Sequence, residues 1–306
     1  MGAVRGVPQP FPYQGSKRQL ARQIVACIPP ETKRLIEPFV GSAAIALATA
    51  KVGRARRFFL SDAHDPLMKL WRKIVDEPEE LANEYQSLWL AQSGREREYY
   101  DRVRERFNRS NEPHFFLYLL ARCVKAAVRY NGNGKFNNSP DNRRLGMRPA
   151  TMAQNIMHAS VLLRGRVRLA SQDYRETLAE ATPDDVVYMD PPYQGVCDTR
   201  DHRYCRGVGF DSFVESLDDL NRRSVAFIVS YDGRTGEKVH GRPLPAKLEL
   251  MRVDVHVGRS TQATLLGRKD ATVESLYLSS VLLDRLGTVP KDLKDDPEPS
   301  LFPSYE

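Results

Sequence analysis

The chain has 306 residues, 41% of them hydrophobic, and a formal net charge of +7, enough length for one large α/β domain carrying an insertion and a charge that suits a polyanionic partner. No stretch approaches the roughly 18 consecutive apolar residues of a membrane span and residues 1–9 lack an apolar signal core, so neither membrane insertion nor secretion is expected, and the cytoplasm is. Cys27, Cys123, Cys197 and Cys205 form no C-x-x-C pair and the six histidines form no H-x-x-x-H cluster, which argues against a disulfide framework and a metal site.

In chain order, Ser16 followed by Gln19 reads as a capping box. Leu20, Ile24, Val25 and Ile28 share one face before Pro29-Pro30, so a first helix is predicted over 16–28. Leu35-Ile36 seeds a strand leading into Glu37-Pro38-Phe39-Val40-Gly41-Ser42, and Ala43 to Ala48 is strongly helical by propensity. Arg57 to Ser61 reads as a second strand ending at Asp62, 21 positions after Gly41. Strand, glycine turn, helix, strand and terminal acid make a nucleotide-binding βαβ unit, in which Asp62 can accept from both ribose hydroxyls; Asp62 as the N-cap of the next helix is the competing reading.

Pro66 to Arg109 is helical and heavily charged, with Leu67, Leu70, Trp71 and Ile74 on one apolar face, and another helix is expected over Phe115 to Val128. Asn131-Gly132-Asn133-Gly134 predicts a turn joining Val128-Arg129-Tyr130 to Lys135-Phe136-Asn137. Between Arg122 and Arg168 ten basic residues stand against the single acid Asp141, interleaved with Tyr130, Phe136, asparagines and glycines. That mixture suits phosphate contact combined with base contact. In this reading Arg129, Lys135, Arg143 and Arg144 hold phosphates and Tyr130 wedges into the base stack beside Asn131. Arg122, Lys125, Asn133 and Asn137 complete the candidate DNA-contact set. A solvated face and an aromatic packed on its own hairpin are the structural alternatives. Val167 to Ala170 resumes a strand pattern, followed by Asp173-Tyr174, a helix near Glu176 to Glu180 and a buried strand over Val186 to Met189. Further strands are expected at Val225 to Ser230, Leu248 to Val257 and Val273 to Leu282, before a Pro-rich acidic tail that reads as mobile from Pro290.

The strand Val186 to Met189 closes on Asp190-Pro191-Pro192-Tyr193. Both prolines lack an N–H and fix φ, so the carbonyls beside Asp190 have no local partner and stay free to accept from a ligand. Asp190 can accept from an amino group while Tyr193 offers a ring for a flat heterocycle, a pocket for an exocyclic amine such as that of adenine. A Pro-rich strand exit without function is the alternative.

Five segments, in order, resemble the Dam-type family of DNA adenine N6-methyltransferases over most of residues 10–285. They are Tyr13-Gln14-Gly15-Ser16-Lys17, Glu37 to Ser42, Asp62, Arg129-Tyr130-Asn131 with Gly134-Lys135-Phe136-Asn137, and Asp190 to Tyr193. The resemblance implies an α/β fold: a doubly wound, mostly parallel S-adenosylmethionine-dependent methyltransferase sheet with an inserted, mainly helical DNA-recognition domain. Residues 10–66 and 166–287 would form the catalytic and cofactor-binding domain, 67–165 the DNA target-recognition insertion and 288–306 a flexible acidic tail. It further implies S-adenosylmethionine as cofactor, S-adenosylhomocysteine as product and no metal. Tyr13, Lys17, Phe39, Gly41, Asp62, Asp173, Tyr174 and Asp190 would line the cofactor. The implied reaction is methyl transfer to N6 of an adenine flipped out of duplex DNA, with Asp190 and the Pro191 carbonyl accepting from the amine and Tyr193 stacked on the base.

The expected partner is double-stranded DNA, bound by a monomer in a bacterial or phage cytoplasm at the nucleoid, with a cognate restriction endonuclease as a candidate companion. N4-cytosine methylation and an inactive DNA-binding homologue acting with a partner are the alternatives. Gly41 is followed by Ser42-Ala43 where the family has Gly-x-Gly. Lys125-Ala126 and Gly132-Asn133 stand where members that read GATC have Asn-Gly and Leu-Arg, so the target sequence does not carry over.

Overall fold

Apolar side chains at alternate strand positions define two buried faces of one sheet in the computed structural model, which describes residues 6–192, 208–235, 238–259, 271–290 and 293. Leu35, Phe58, Leu60, Val186, Tyr188 and Ile228 point to one face; Ile36, Phe59, Val187, Met189, Phe227 and Val229 point to the other. Strands covered on both sides read as continuous apolar runs, which is why the sequence marked them. They are β1 (Thr32–Glu37), β2 (Ala55–Asp62), β3 (Val167–Ser171), β4 (Asp185–Met189), β5 (Ala226–Thr235), β6 (Lys238–His240), β7 (Met251–Arg259) and β8 (Ala271–Leu278). The sheet runs β3-β2-β1-β4-β5-β8-β7, with β6 beside β5. β3, β2, β1, β4 and β5 are mutually parallel; β8 runs antiparallel to β5, and β7 antiparallel to β8. β1 lies between β2 and β4, so the connections diverge there, and open α/β sheets bind ligands at the carboxyl ends of strands flanking such a point.

α1 (Ala21–Ala26), α2 (Ala44–Lys51) and five helices connecting β2 to β3 cover the first face. Those five are α3 (Asp65–Asp76), α4 (Pro78–Ala91), α5 (Glu96–Ser110), α6 (Pro113–Arg122) and α7 (Pro149–Leu163). Leu67, Leu70, Trp71 and Ile74 are buried in α3 as the apolar stripe predicted. Trp71, Tyr85, Phe107, Phe116 and Met152 belong to the same hydrophobic cluster as Leu35 and Phe58, so the inserted helices and the sheet share one core. α8 (Tyr174–Ala179) and α9 (Phe210–Arg222) cover the second face, and α10 (Ser280–Leu286) returns to the first. Among the described residues no helix is long and apolar enough to cross a membrane.

Several boundaries differ from expectation. The first helix begins as a 3-10 turn over Lys17–Leu20, and the Ser16 side chain makes no cap: its Oγ meets Ser42 Oγ at 2.7 Å. The helix expected to reach Val128 stops at Arg122, because Cys123 is extended and Lys125 and Ala126 take positive φ of 57° and 49°. The strand expected to run to Leu282 ends at Leu278, since Ser279 caps a helix by accepting from Leu282 N at 3.3 Å. β7 starts at Met251, after a 3-10 turn over Ala246–Leu248 that closes on a left-handed Glu249. The turn at 131–134 is present: Asn131 N donates to Lys135 O at 2.8 Å and Asn137 N to Arg129 O at 2.9 Å. The tail read as mobile from Pro290 lies outside the described residues except Pro290 and Leu293; Leu293 is buried in the core and its N–H donates to Pro290 O at 3.1 Å.

Candidate functional site

The carboxyl ends of β3, β2, β1 and β4 bring the candidate residues into one row along the sheet edge. After β1 the chain turns through Phe39 and Gly41. Gly41 has φ +44°, a conformation that favours glycine, and a Cβ there would lie 3.3 Å from the Tyr13 ring, so any side chain would also press on Tyr13. Three further contacts pin this loop: Gly41 N donates to Asp62 Oδ2 at 3.3 Å, Trp71 Nε1 donates to Gly41 O at 2.9 Å, and Ser42 is held by Ser16. Ala43, where a second family glycine would fall, takes the left-handed φ of 49° directly before α2, so the chain keeps the turn without glycine at a strain cost of about 1 kcal/mol.

Asp62 ends β2, as the βαβ reading requires, but it is not the cap of α3. His64 is: its side chain accepts from Leu67 N at 3.2 Å, while its own N–H donates to Asp62 Oδ1 at 3.0 Å. Burial raises the Asp62 carboxyl, against the opposing amides of His64 and Gly41. Asp173, one strand further out, N-caps α8 by accepting from Arg175 N at 2.9 Å and also binds Arg175 Nε at 2.8 Å. Tyr174 is buried with its ring stacked 5.2 Å from that of Phe39.

On the other side of β1, Asp190 follows β4 with its side chain 20% exposed. Lys17 Nζ lies 3.0 Å from Asp190 Oδ1 and 3.4 Å from Glu274 Oε2 on β8, and is itself 6% exposed. The ammonium of Lys17, expected to line the cofactor, is thus engaged by two acids, one following β4 and one on β8. Burial pushes Asp190 up to about 6, Lys17 opposes the rise and Glu274 adds to it. Glu37, at the end of β1, is buried with Oε1 lacking a hydrogen-bond partner. Burial drives its carboxyl well above the usual range, the Ala46 amide opposing and the Asp190 charge adding. Pro191 is buried and Pro192 exposed, whereas Tyr193 lies outside the described residues, as do Cys197 and Cys205.

The basic segment divides. Lys125, Arg129, Asn133, Lys135, Asn137, Arg143 and Arg144 are exposed around the hairpin and the loop that follows it. Arg122 is 2% exposed and donates to Asp141 O at 3.1 Å, which removes it from the phosphate-contact set because a buried guanidinium cannot reach a duplex. Arg164 and Arg166 bind backbone carbonyls of Val75 and Ala55, and Arg168 pairs with Glu180, so these three are engaged within the fold. Asn131 spends its Oδ1 on the turn, accepting from Asn133 N and Lys135 N at 3.0 Å each. Tyr130 is partly buried, edge-on to Phe136, with its hydroxyl 2.6 Å from His64 Nε2. In this arrangement it anchors the hairpin instead of projecting as a wedge. A cavity of about 660 Å³ opens beside it, lined by His64, Asp65, Asn111, Tyr130 and Asn131 among others.

Glu274 and His64 escaped the sequence reading, and Glu37 entered it only as the start of the loop motif, with no role at the site. The signal for Glu37 was an acid closing an apolar strand; Glu274 and His64 carry none that spacing could show.

The profile of the family described as D12 class N6 adenine-specific DNA methyltransferase matches residues 13–254. The retron Ec67 DNA adenine methylase of Escherichia coli is 31% identical over 233 residues, 74% of each chain. The DNA adenine methylase of Vibrio cholerae serotype O1 is 28% identical over 211 residues, covering 68% of this chain and 71% of that protein. The DNA N-6-adenine-methyltransferase of Escherichia phage P1 is 26% identical over 236 residues, covering 73% of this chain but 29% of that protein.

Proposed function

The chain belongs to the D12 class of N6 adenine-specific DNA methyltransferases, and on that premise we propose how its residues divide the reaction. Asp190 is the carboxylate that accepts from the target amine, with the Pro191 carbonyl beside it. The observation that carries this assignment is its position: an acid at the end of β4, next to the switch point, held by a buried lysine. Adenine N6 is a poor nucleophile because its lone pair is delocalised into the ring. An acceptor aligned on N6–H draws that pair out of conjugation and points it along one line. Such alignment is impossible within a base stack, so the adenine is read as flipped out of the duplex, with Tyr193 as the stacking ring.

The row of strand ends from β3 to β4 spans three strand spacings, about 14 Å, a length that suits a nucleoside joined to an amino acid. The close-packed glycine turn at Gly41, the acid at Asp62 and the orphaned buried oxygen of Glu37 fit S-adenosylmethionine, which supplies an activated methyl group when bound. Asp62 would accept from the ribose hydroxyls, Phe39 and Gly41 would line the methionine side, and Asp173 would stand at the adenine end. Lys17 keeps Asp190 paired, and Tyr13 packs the loop. Exposed Arg129, Lys135, Arg143 and Arg144 would hold phosphates around the 131–134 turn, so residues 67–165 are the part that reads DNA. A DNA substrate fits an enzyme of the cytoplasm.

Expression in a methylation-free bacterial host, followed by sequencing with modified bases called, tests this reading. N6-methyladenine should appear at one motif and vanish with Asp190→Ala, while that variant still binds cofactor within a few fold. Methylation persisting in the variant would remove Asp190 from the chemistry.

A further inference from the structure

His64 stands two residues after Asp62 and reaches into the hairpin. Its backbone N–H holds Asp62 Oδ1, and its Nδ1 accepts from Leu67 N. An accepting Nδ1 leaves the ring proton on Nε2, so Nε2–H donates to the Tyr130 hydroxyl at 2.6 Å. Burial lowers the imidazole to about 4, which keeps the ring neutral and this tautomer in place at physiological pH. The ring is also confined by Phe116 at 5.4 Å, and Tyr130 is bridged to Phe136 across the hairpin. An unbroken series of contacts thus runs from Gly41 N through Asp62 and His64 to Tyr130.

We propose that His64 is a positioning residue that couples the cofactor cleft to the DNA-reading hairpin, so that a ligand at either one strengthens binding at the other. This rests on the assignment of Asp62 to the ribose and of the hairpin to DNA. A ribose on Asp62 fixes the carboxylate, hence the His64 backbone and ring, hence the seat of Tyr130. DNA that orders the hairpin fixes the same joint from the other side, so the second ligand meets a joint already ordered.

The test is calorimetric titration of S-adenosylhomocysteine into the full chain, alone and with a saturating duplex carrying the motif mapped in the methylated host. The wild type should bind S-adenosylhomocysteine about 5- to 50-fold tighter with the duplex than without. His64→Asn keeps an acceptor for Leu67 N but is too short for Tyr130, and Tyr130→Phe removes only the hydroxyl. Each should bind S-adenosylhomocysteine without DNA within about 2-fold of wild type and show a DNA enhancement below about 2-fold, the double variant losing no more than either. A wild type without enhancement, or enhancement surviving in both variants, overturns the proposal. Asp62→Ala titrated without DNA tests the underlying assignment separately: undiminished affinity there would displace the cofactor reading itself.

Discussion

Asp190 sits in a charge balance that gives its pH behaviour a sign. In the proposed role the ionised form accepts from N6–H, and burial has raised the carboxyl to about 6, so kcat/KM should fall as pH drops through that value. Glu274 contributes to the rise, so Glu274→Gln should move this acid limb to lower pH. Lys17 opposes the rise, so Lys17→Met should move it upward. Rate profiles from pH 5 to 9 for the three proteins check the order, and an unmoved limb in both variants would mean that another group sets it. The same displacement costs stability with rising pH, since between about 4 and 6 the folded chain holds a proton that the unfolded chain has released. Asp62→Ala should weaken S-adenosylmethionine binding by about 1 to 3 kcal/mol, the loss of hydrogen bonds to a charged acceptor, with thermal melting to verify the fold. These residues were legible in part. Asp62, Gly41 and Asp190 announce themselves through their own strand ends. Lys17 did not, because a lysine at a helix start looks the same whether it meets a solvent anion or a carboxylate brought from a distant strand.

Elements were legible where their signal is local. β1, β2 and β4 carry runs of apolar residues that burial on both faces demands, and the 131–134 turn carries its own chemistry. α7 and α9 bury Met152, Ile156, Ala159 and Leu163, and Phe213, Val214, Leu217 and Leu220, at helical spacing that was there to be read beside the surrounding charge. The boundary at Leu278 was not so readable, because Val281 and Leu282 continue the apolar pattern and the Ser279 cap alone ends it. The hairpin offers the sharpest test at this scale. A Cβ on Gly132 would meet open space, and Asn133 is exposed, so Leu-Arg can replace the pair without disturbing Gly134, which needs its φ of +69°. The exchange swaps an adenine-preferring side chain for a guanine-preferring one, and the methylated motif should shift or relax while cofactor affinity holds. A motif and cognate rate both unaltered would move recognition to the helices between β2 and β3.

For the whole molecule, the charge of +7 matters through its placement. DNA affinity should fall steeply with salt, and neutralising Arg143 and Arg144 together should flatten the slope of log K against log[salt] by about 2. Arg122→Met should leave that slope alone and lower thermal stability by about 1 to 3 kcal/mol, because it removes the hydrogen bond from a buried charged donor to the Asp141 carbonyl. Salt-independent binding would instead point away from a nucleic acid.

The helices between β2 and β3 are rooted in the core of the sheet, with Trp71 reaching back to the Gly41 carbonyl. They therefore cannot melt on their own, and a calorimetric scan should show one cooperative transition that a nucleoside ligand displaces as a unit. The history of such a chain is constrained accordingly. Grafting the whole helical layer from a cousin would tear the heart of the protein, whereas the small exposed loop at its rim can be rewritten a few letters at a time, and if that loop reads DNA as proposed, new target sites can arise there without cost to the core.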